Sequence, residues 1–250
     1  MSDSRYYDGS LEESKGLSIA KVYGYMFIGL LITAAIAIGL GLYFGNVLLA
    51  NASTEMETRI QETNAIILLV VLGVSAIALL VLSIVVPIVA IRGKHSVLVP
   101  GILYCTFMGV MLSTLVIFID WKILGLTFFI TSLVFGLMSL IALLSKSRLN
   151  GLGIAAIGLF LGAGLISLTM WILMLMGFDV TPLYWIVSLA TFAGTMLITI
   201  WDMARIKQIA EDGAMTRNTS LYCAFILYVD FIRIFLRLLR YILIIFGRKR

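Results

Sequence analysis

Asp202 and Asp230 are the two acids in this sequence whose surroundings suggest chemistry. Asp202 sits in TIWDMARIK and Asp230 in LYVDFIRIF, each inside an apolar context. Most of the other carboxylates among the 13 have plain roles. Glu55, Glu57 and Glu62 fall in a polar loop, Asp120 and Asp179 mark turns, and Glu211 and Asp212 lie in another loop. Two carboxylates a few ångströms apart cannot both ionise easily, so they share a proton and titrate as a unit. Such a pair could sense pH and offer hard oxygen ligands to Ca2+. The plainer reading is that each acid pairs with an arginine, Asp230 with Arg233 or Arg237. Arg92 is a further candidate: a cation that locks the carboxylate and competes with a metal ion, because its fork matches a carboxylate. Its plain role is anchoring at the basic membrane face.

The elements that must position these residues follow from composition. The chain has 250 residues, of which 62% are hydrophobic and only 12% charged. A water-soluble domain carries about 25% charged residues, so this chain needs lipid as its solvent. No nucleic acid is expected as a partner. A membrane helix needs about 20 mainly apolar residues. Six segments qualify: 22–45, 65–91, 97–119, 123–144, 152–177 and 182–201. Pro87 lies inside the second, where it would kink the helix. Gly158, Gly162 and Gly164 in the fifth suggest close helix packing. Cys105 and Cys223 fit no zinc spacing and read as small buried hydrophobes. His95, with no other ligand type nearby, reads as a loop residue, and the sequons at Asn51 and Asn218 as chance.

The connections alternate in charge. Arg5, Lys15, Lys21, Arg92, Lys94, Lys146, Arg148, Arg205, Lys207 and Arg217 fall on one side, and only Arg59 and Lys122 on the other. The positive-inside rule then puts the N-terminus in the cytoplasm. The N-terminal stretch lacks the order of a cleaved signal peptide, so the first apolar segment reads as a retained span. The domain plan is a cytoplasmic tail over 1–21, one transmembrane helical domain over 22–246, and a basic tail over 247–250.

A seventh segment, 220–246, breaks the pattern with Asp230, Arg233, Arg237 and Arg240. At 100° per residue these share one helical face within about 80°. Charge inside a membrane is costly, so the stripe should face protein or water. One arrangement places this helix at the centre of an all-α, seven-helix bundle. Two others remain open: a segment that turns back, leaving both termini cytoplasmic, or a helix on the membrane surface. Depth also matters. Asp230 is about 15 Å along a helix from Ser220, while Asp202 is near the expected end of segment six.

The order of motifs resembles the Bax inhibitor-1 family, the transmembrane Bax-inhibitor-motif proteins, from about Leu17 to Arg240. AKVYGYMFIGLLITAAIA is similar to that family's first helix, and FFITSLVFGLMSLIALLSKSRLNGLG to its fourth helix and following loop. WDMARIK and SLYCAFILYVDFIRIFLRLLR look like the end of its sixth helix and its terminal motif. In two places the chain departs from the pattern. Arg148 stands near the position of a loop aspartate, and Ile66 to Ile91 contains no acid that could serve as a latch. The resemblance implies a seven-helix bundle with a central C-terminal helix and a pH-sensitive Ca2+ leak. Asp202 and Asp230 match the paired aspartates by motif, and Arg92 matches the partner arginine by position.

The expected function is therefore a Ca2+ leak channel gated by Asp202, Asp230 and Arg92, with Arg233 and Arg237 as secondary ion pairs. Ca2+ would touch the two aspartates transiently as the transported ion, and no cofactor is expected. A Ca2+/H+ exchanger would use the same carboxylates, alternately protonated and metal-bound. A non-conducting membrane regulator of stress or cell death is a further alternative. An intramembrane aspartyl protease is disfavoured, because Ile200-Trp201 and Tyr228-Val229 stand where that class carries glycines beside its aspartates. The chain is therefore expected not to be an enzyme. Its partners are the bilayer, Ca2+ and protons. No oligomeric state is fixed, and a monomer is admitted. Compact loops suggest a bacterial cell membrane.

Overall fold

The computed structural model describes residues 3–50, 55–93, 96–145, 150–177 and 180–247, and the side chains of all these except 3–17, 55–56, 150, 182 and 247. His95, Lys94, Lys146, Arg148, Asp179, the sequon residue Asn51 and the basic tail 248–250 lie outside the described residues. Seven helices follow in order: α1 (Asp3–Leu48), α2 (Glu55–Arg92), α3 (Leu98–Phe118), α4 (Trp121–Leu144), α5 (Asn150–Leu175), α6 (Thr181–Glu211) and α7 (Arg217–Gly247). No strand occurs among the described residues. The chain is an all-α, multi-pass membrane protein. Among the described residues six helices, α1 to α6, are long and apolar enough to cross a bilayer.

The polarity of the helices is inverted relative to a soluble protein. Large apolar side chains such as Leu69, Ile77, Leu161 and Leu165 face outward, whereas Thr33, Ser113, Thr127, Thr131, Thr199 and Asp230 are buried. Lipid gives apolar side chains no reason to hide, and polar groups need protein partners. The buried hydroxyls find them one turn back: Thr131 Oγ1 donates to Thr127 O at 2.7 Å and Thr199 Oγ1 to Thr195 O at 2.9 Å.

Helix ends differ from the expected spans where the apolar run and the helix are different lengths. Expected to end near 201, α6 continues to Glu211. Met203, Ala204, Ile206 and Ala210 keep a buried face through that extension. It stops at Gly213, whose φ of +69° lies in the left-handed region that a side chain resists. Gly93 ends α2 in the same way at φ +64°. The helix also passes through Pro87 without interruption. At the other end of the chain α1 begins at Asp3, well before the apolar residues start.

The chain divides into two compact units, Met1–Gly125 with Gly213–Tyr228, and Leu126–Asp212 with Val229–Arg250. In the first, α3 packs against both α1 and α2. Glycines permit the α1–α3 approach: a Cβ on Gly109 would lie 2.8 Å from Thr33 O, and one on Gly41 would lie 2.6 Å from Val116 Cγ1. Phe44, Leu68 and Ile117 form an apolar cluster at one end. The start of α7 is fixed here by Asn218, whose Oδ1 accepts from Val97 N at 2.9 Å, and by Tyr228. Thr33 Oγ1 donates to Cys105 O at 3.0 Å and lies 2.7 Å from Tyr228 Oη. Since the threonine hydrogen is committed to the carbonyl, the tyrosine is the donor. Both cysteines are buried and neither forms a disulfide.

In the second unit, α5 packs against α6. The close approaches are at Gly153, where a Cβ would meet Trp201 Cε2 at 2.9 Å, and at Gly194, beside Phe160 and Leu159. The expected packing glycines do not serve: a Cβ on Gly158, Gly162 or Gly164 would meet nothing within 4 Å among the described residues. Their faces turn outward, and a bare run of small residues carries no information about which side a neighbour takes. Phe231 of α7 stacks against Phe128 and Phe135 of α4 at 5.6 and 5.4 Å. Tyr241 Oη donates to Ser188 O of α6 at 2.9 Å. Lys207 Nζ closes the C-terminal end of α4, donating to Leu143 O and Ser145 O at 2.7 and 2.9 Å. Each unit buries the part of α7 it contains, and α7 is one uninterrupted helix with Leu227, Tyr228, Asp230 and Ile234 buried.

Candidate functional site

The two acids meet in the second unit. Asp202 lies nine residues before the end of α6, and Asp230 thirteen residues after the start of α7. At 1.5 Å per residue these offsets are about 13 and 20 Å, so both acids lie well inside their helices, Asp202 because α6 extends beyond the apolar run. Their carboxyl groups lie close enough to interact. Asp230 is 1% exposed and Asp202 only partly exposed.

The oxygens of Asp230 are treated unequally. Its Oδ1 accepts from Arg233 Nη1 at 3.3 Å, an i,i+3 contact along α7. Oδ2 is buried and has no donor among the described residues. The Asp202 carboxyl interacts with this group, and a contact between two carboxyls becomes a hydrogen bond only when one carries a proton. With a proton the group is satisfied; without it, two like charges sit together in a region where an unmade bond is costly.

Arg233 is the cation the structure puts beside the carboxylates, with Arg205 also acting on Asp202. Arg205 stacks its guanidinium 5.5 Å from the centroid of the Trp201 ring. The Arg233 contact is long, and 60% of that side chain is exposed, so it tethers the acid weakly. Of the two arginines expected to serve Asp230, only Arg233 does. Arg237 instead donates to Thr191 Oγ1 and Ser188 O of α6. Arg92 is the exposed last residue of α2 and makes no ion pair among the described residues. Of the plainer acids, Asp120 marks a turn as expected, its Oδ1 accepting from Lys122 N at 2.9 Å to cap α4; Glu55, Glu57 and Glu62, expected in a loop, lie in the first turns of α2, and Glu211, also expected in a loop, ends α6 and pairs with Lys207 at 3.9 Å.

No group of three or more His, Cys, Asp or Glu side chains converges among the described residues. A divalent ion at Asp202 and Asp230 would therefore have two carboxylates and must draw its other ligands from water or backbone. Ca2+ takes six to eight oxygens, so such contact is weak and suits an ion passing through.

Sequence reasoning missed the α6 partners of the arginine stripe, Tyr184, Ser188 and Thr191, and the capping roles of Asn218 and Lys207. The period of α7 showed that its arginines share a face; nothing local showed which helix supplies their acceptors.

A multi-pass helical protein with paired carboxyls on its last two helices defines the class. The family described as "Inhibitor of apoptosis-promoting Bax1" matches residues 17–248, and the chain belongs to this family, the Bax inhibitor-1 family. It is 30% identical to the "Inner membrane protein YbhL" of Escherichia coli K12 over 254 aligned residues, covering 97% of each chain. It is 33% identical over 150 residues to the "Uncharacterized protein RP147" of Rickettsia prowazekii, covering 59% of this chain and 60% of that one. No solved structure matches.

Proposed function

We propose that the protein is a pH-sensitive Ca2+ leak channel in a bacterial cell membrane, with Asp202 and Asp230 as its gate. The observation that carries this reading is the buried Asp230 Oδ2, which has no donor among the described residues, in a carboxyl that interacts with that of Asp202. In the closed state one proton bridges the two acids and Arg233 holds the remaining oxygen. Loss of the proton leaves two carboxylates repelling each other and frees oxygen ligands for Ca2+. Arg233, being largely exposed, can withdraw and let the cation take its place. Arg92 remains the proposed second lock at the inner end of α2. Ca2+ is cargo, no resident cofactor is needed, and no catalytic step is assigned. A role for the bilayer location comes from similarity to an E. coli inner membrane protein.

The test is purified protein in liposomes loaded with a fluorescent Ca2+ indicator. Ca2+ should run down its gradient faster at neutral than at acidic pH, and Asp202→Asn should flatten that difference. Equal flux at both pH values in the unmodified protein would sink the gate. If an imposed proton gradient drives Ca2+ uphill, the same carboxylates belong to an exchanger.

A further inference from the structure

Beyond the carboxylate pair, α7 presents three arginines to a cleft that the leak reading does not use. The cleft, about 630 Å3 in volume, lies in the second unit and is lined by Phe160 of α5, Thr195 and Ile198 of α6, and Arg233, Leu236, Arg237 and Arg240 of α7. Three guanidinium groups line it and no carboxylate does. Asp230 offsets Arg233. The partners of the other two are neutral: Thr191 Oγ1 and Ser188 O for Arg237, and Tyr184 Oη at 3.3 Å for Arg240. A guanidinium has five N–H donors in a planar fork, and these contacts use few of them. An intramembrane cation without a counter-charge is costly, so the cleft carries an unmet demand for an anion. The three side chains share one face, and Arg233 to Arg240 spans about 10 Å.

The geometry points to a binding site for a phosphate group, which accepts bidentate bonds from arginine, carried either by the headgroup of an anionic phospholipid or by free phosphate. The surroundings favour the lipid. Phe160 and Leu236, which line the cleft beside the arginines, are exposed and apolar, a surface that acyl chains cover and an aqueous ion does not. The volume falls in the range of ordinary ligand pockets.

The full-length protein, purified in mild detergent and exchanged into bicelles, tests this with three probes: phosphatidylglycerol, phosphatidylcholine and inorganic phosphate. Bound lipid is read by native mass spectrometry and thermal stability in parallel. Phosphatidylglycerol should be retained over phosphatidylcholine, and the double variant Arg237→Gln/Arg240→Gln should weaken that preference about thirtyfold. The charge-matched control Arg59→Gln/Lys122→Gln should leave it unchanged. Should the double variant not fold, Arg240→Gln alone, altering an exposed side chain, should weaken the preference by about fivefold. Stabilisation by inorganic phosphate with no lipid preference would keep the phosphate site and assign it to a free anion. Equal retention of both lipids and no response to phosphate would overturn the inference, as would a control pair that loses as much as the arginine pair.

Discussion

At Asp230 a buried carboxyl has one oxygen on a cation and the other without a donor among the described residues, and it interacts with a second acid, Asp202. Replacing it with asparagine keeps the shape and supplies an amide donor toward Asp202. Asp230→Asn should therefore fold with a stability change within about 1 kcal/mol, read by thermal unfolding in detergent, while Ca2+ flux loses its dependence on pH. A variant that unfolds outright would show that Arg233 needs its charged partner for structure. Tyr228, two residues earlier, belongs to a different contact. Its hydroxyl donates to Thr33, which donates onward to Cys105 O. Tyr228→Phe leaves the threonine bonded to the carbonyl and removes one link, so it should cost about 1 kcal/mol and leave the pH response intact. Both variants touch α7 in its buried stretch, and only one touches the shared proton. Together they separate the packing of the helix from its titration.

At the scale of elements, glycine decides which helices come close, and its position matters more than its number. Gly109 lets α3 approach α1 until a methyl group would collide with Thr33 O and Ile36. Gly109→Ala should destabilise by about 1–3 kcal/mol, as overpacking does. Gly158→Ala places its methyl in open space on α5, and should be neutral or stabilising by up to about 1 kcal/mol through helix propensity. Paired melts of the two variants check this, and equal losses would contradict the packing described for α1 and α3. The α6 extension belongs to the same scale. Its residues 203–210 alternate buried and exposed positions like any amphipathic helix, which a search for apolar runs does not see.

For the whole molecule, the distribution of basic residues sets the expected orientation. The N-terminus and the connection after α2 should be cytoplasmic, and the connections after α1 and α3 on the opposite side. The 31 residues of α7 form one helix, about 46 Å long, which exceeds a hydrocarbon core of about 30 Å. Its C-terminal end should therefore emerge opposite the N-terminus, despite the basic tail. Cysteine labelling from either side at position 2 and position 249, in a background with Cys105 and Cys223 replaced by alanine, reads this directly. Labelling of both sites from the same side would require a different path for α7.

Composition alone determined that this chain lives in lipid, because so few charges cannot cover a surface facing water. Apolar runs of sufficient length determined six helices, and the charge stripe identified the seventh as one that must be shielded. Motif order identified the family and pointed to Asp202 and Asp230. The sequence did not determine that the two acids come close enough to interact, which depends on α6 running past its apolar stretch and on where the glycine at 213 stops it. Nor did it assign Arg233 to the carboxyl and Arg237 to α6: both arginines share a face, and which one finds an acid depends on the rotation and tilt of a neighbouring helix. Local chemistry is written along the chain, but partnership between helices is set by distances of a few ångströms that only the folded packing fixes.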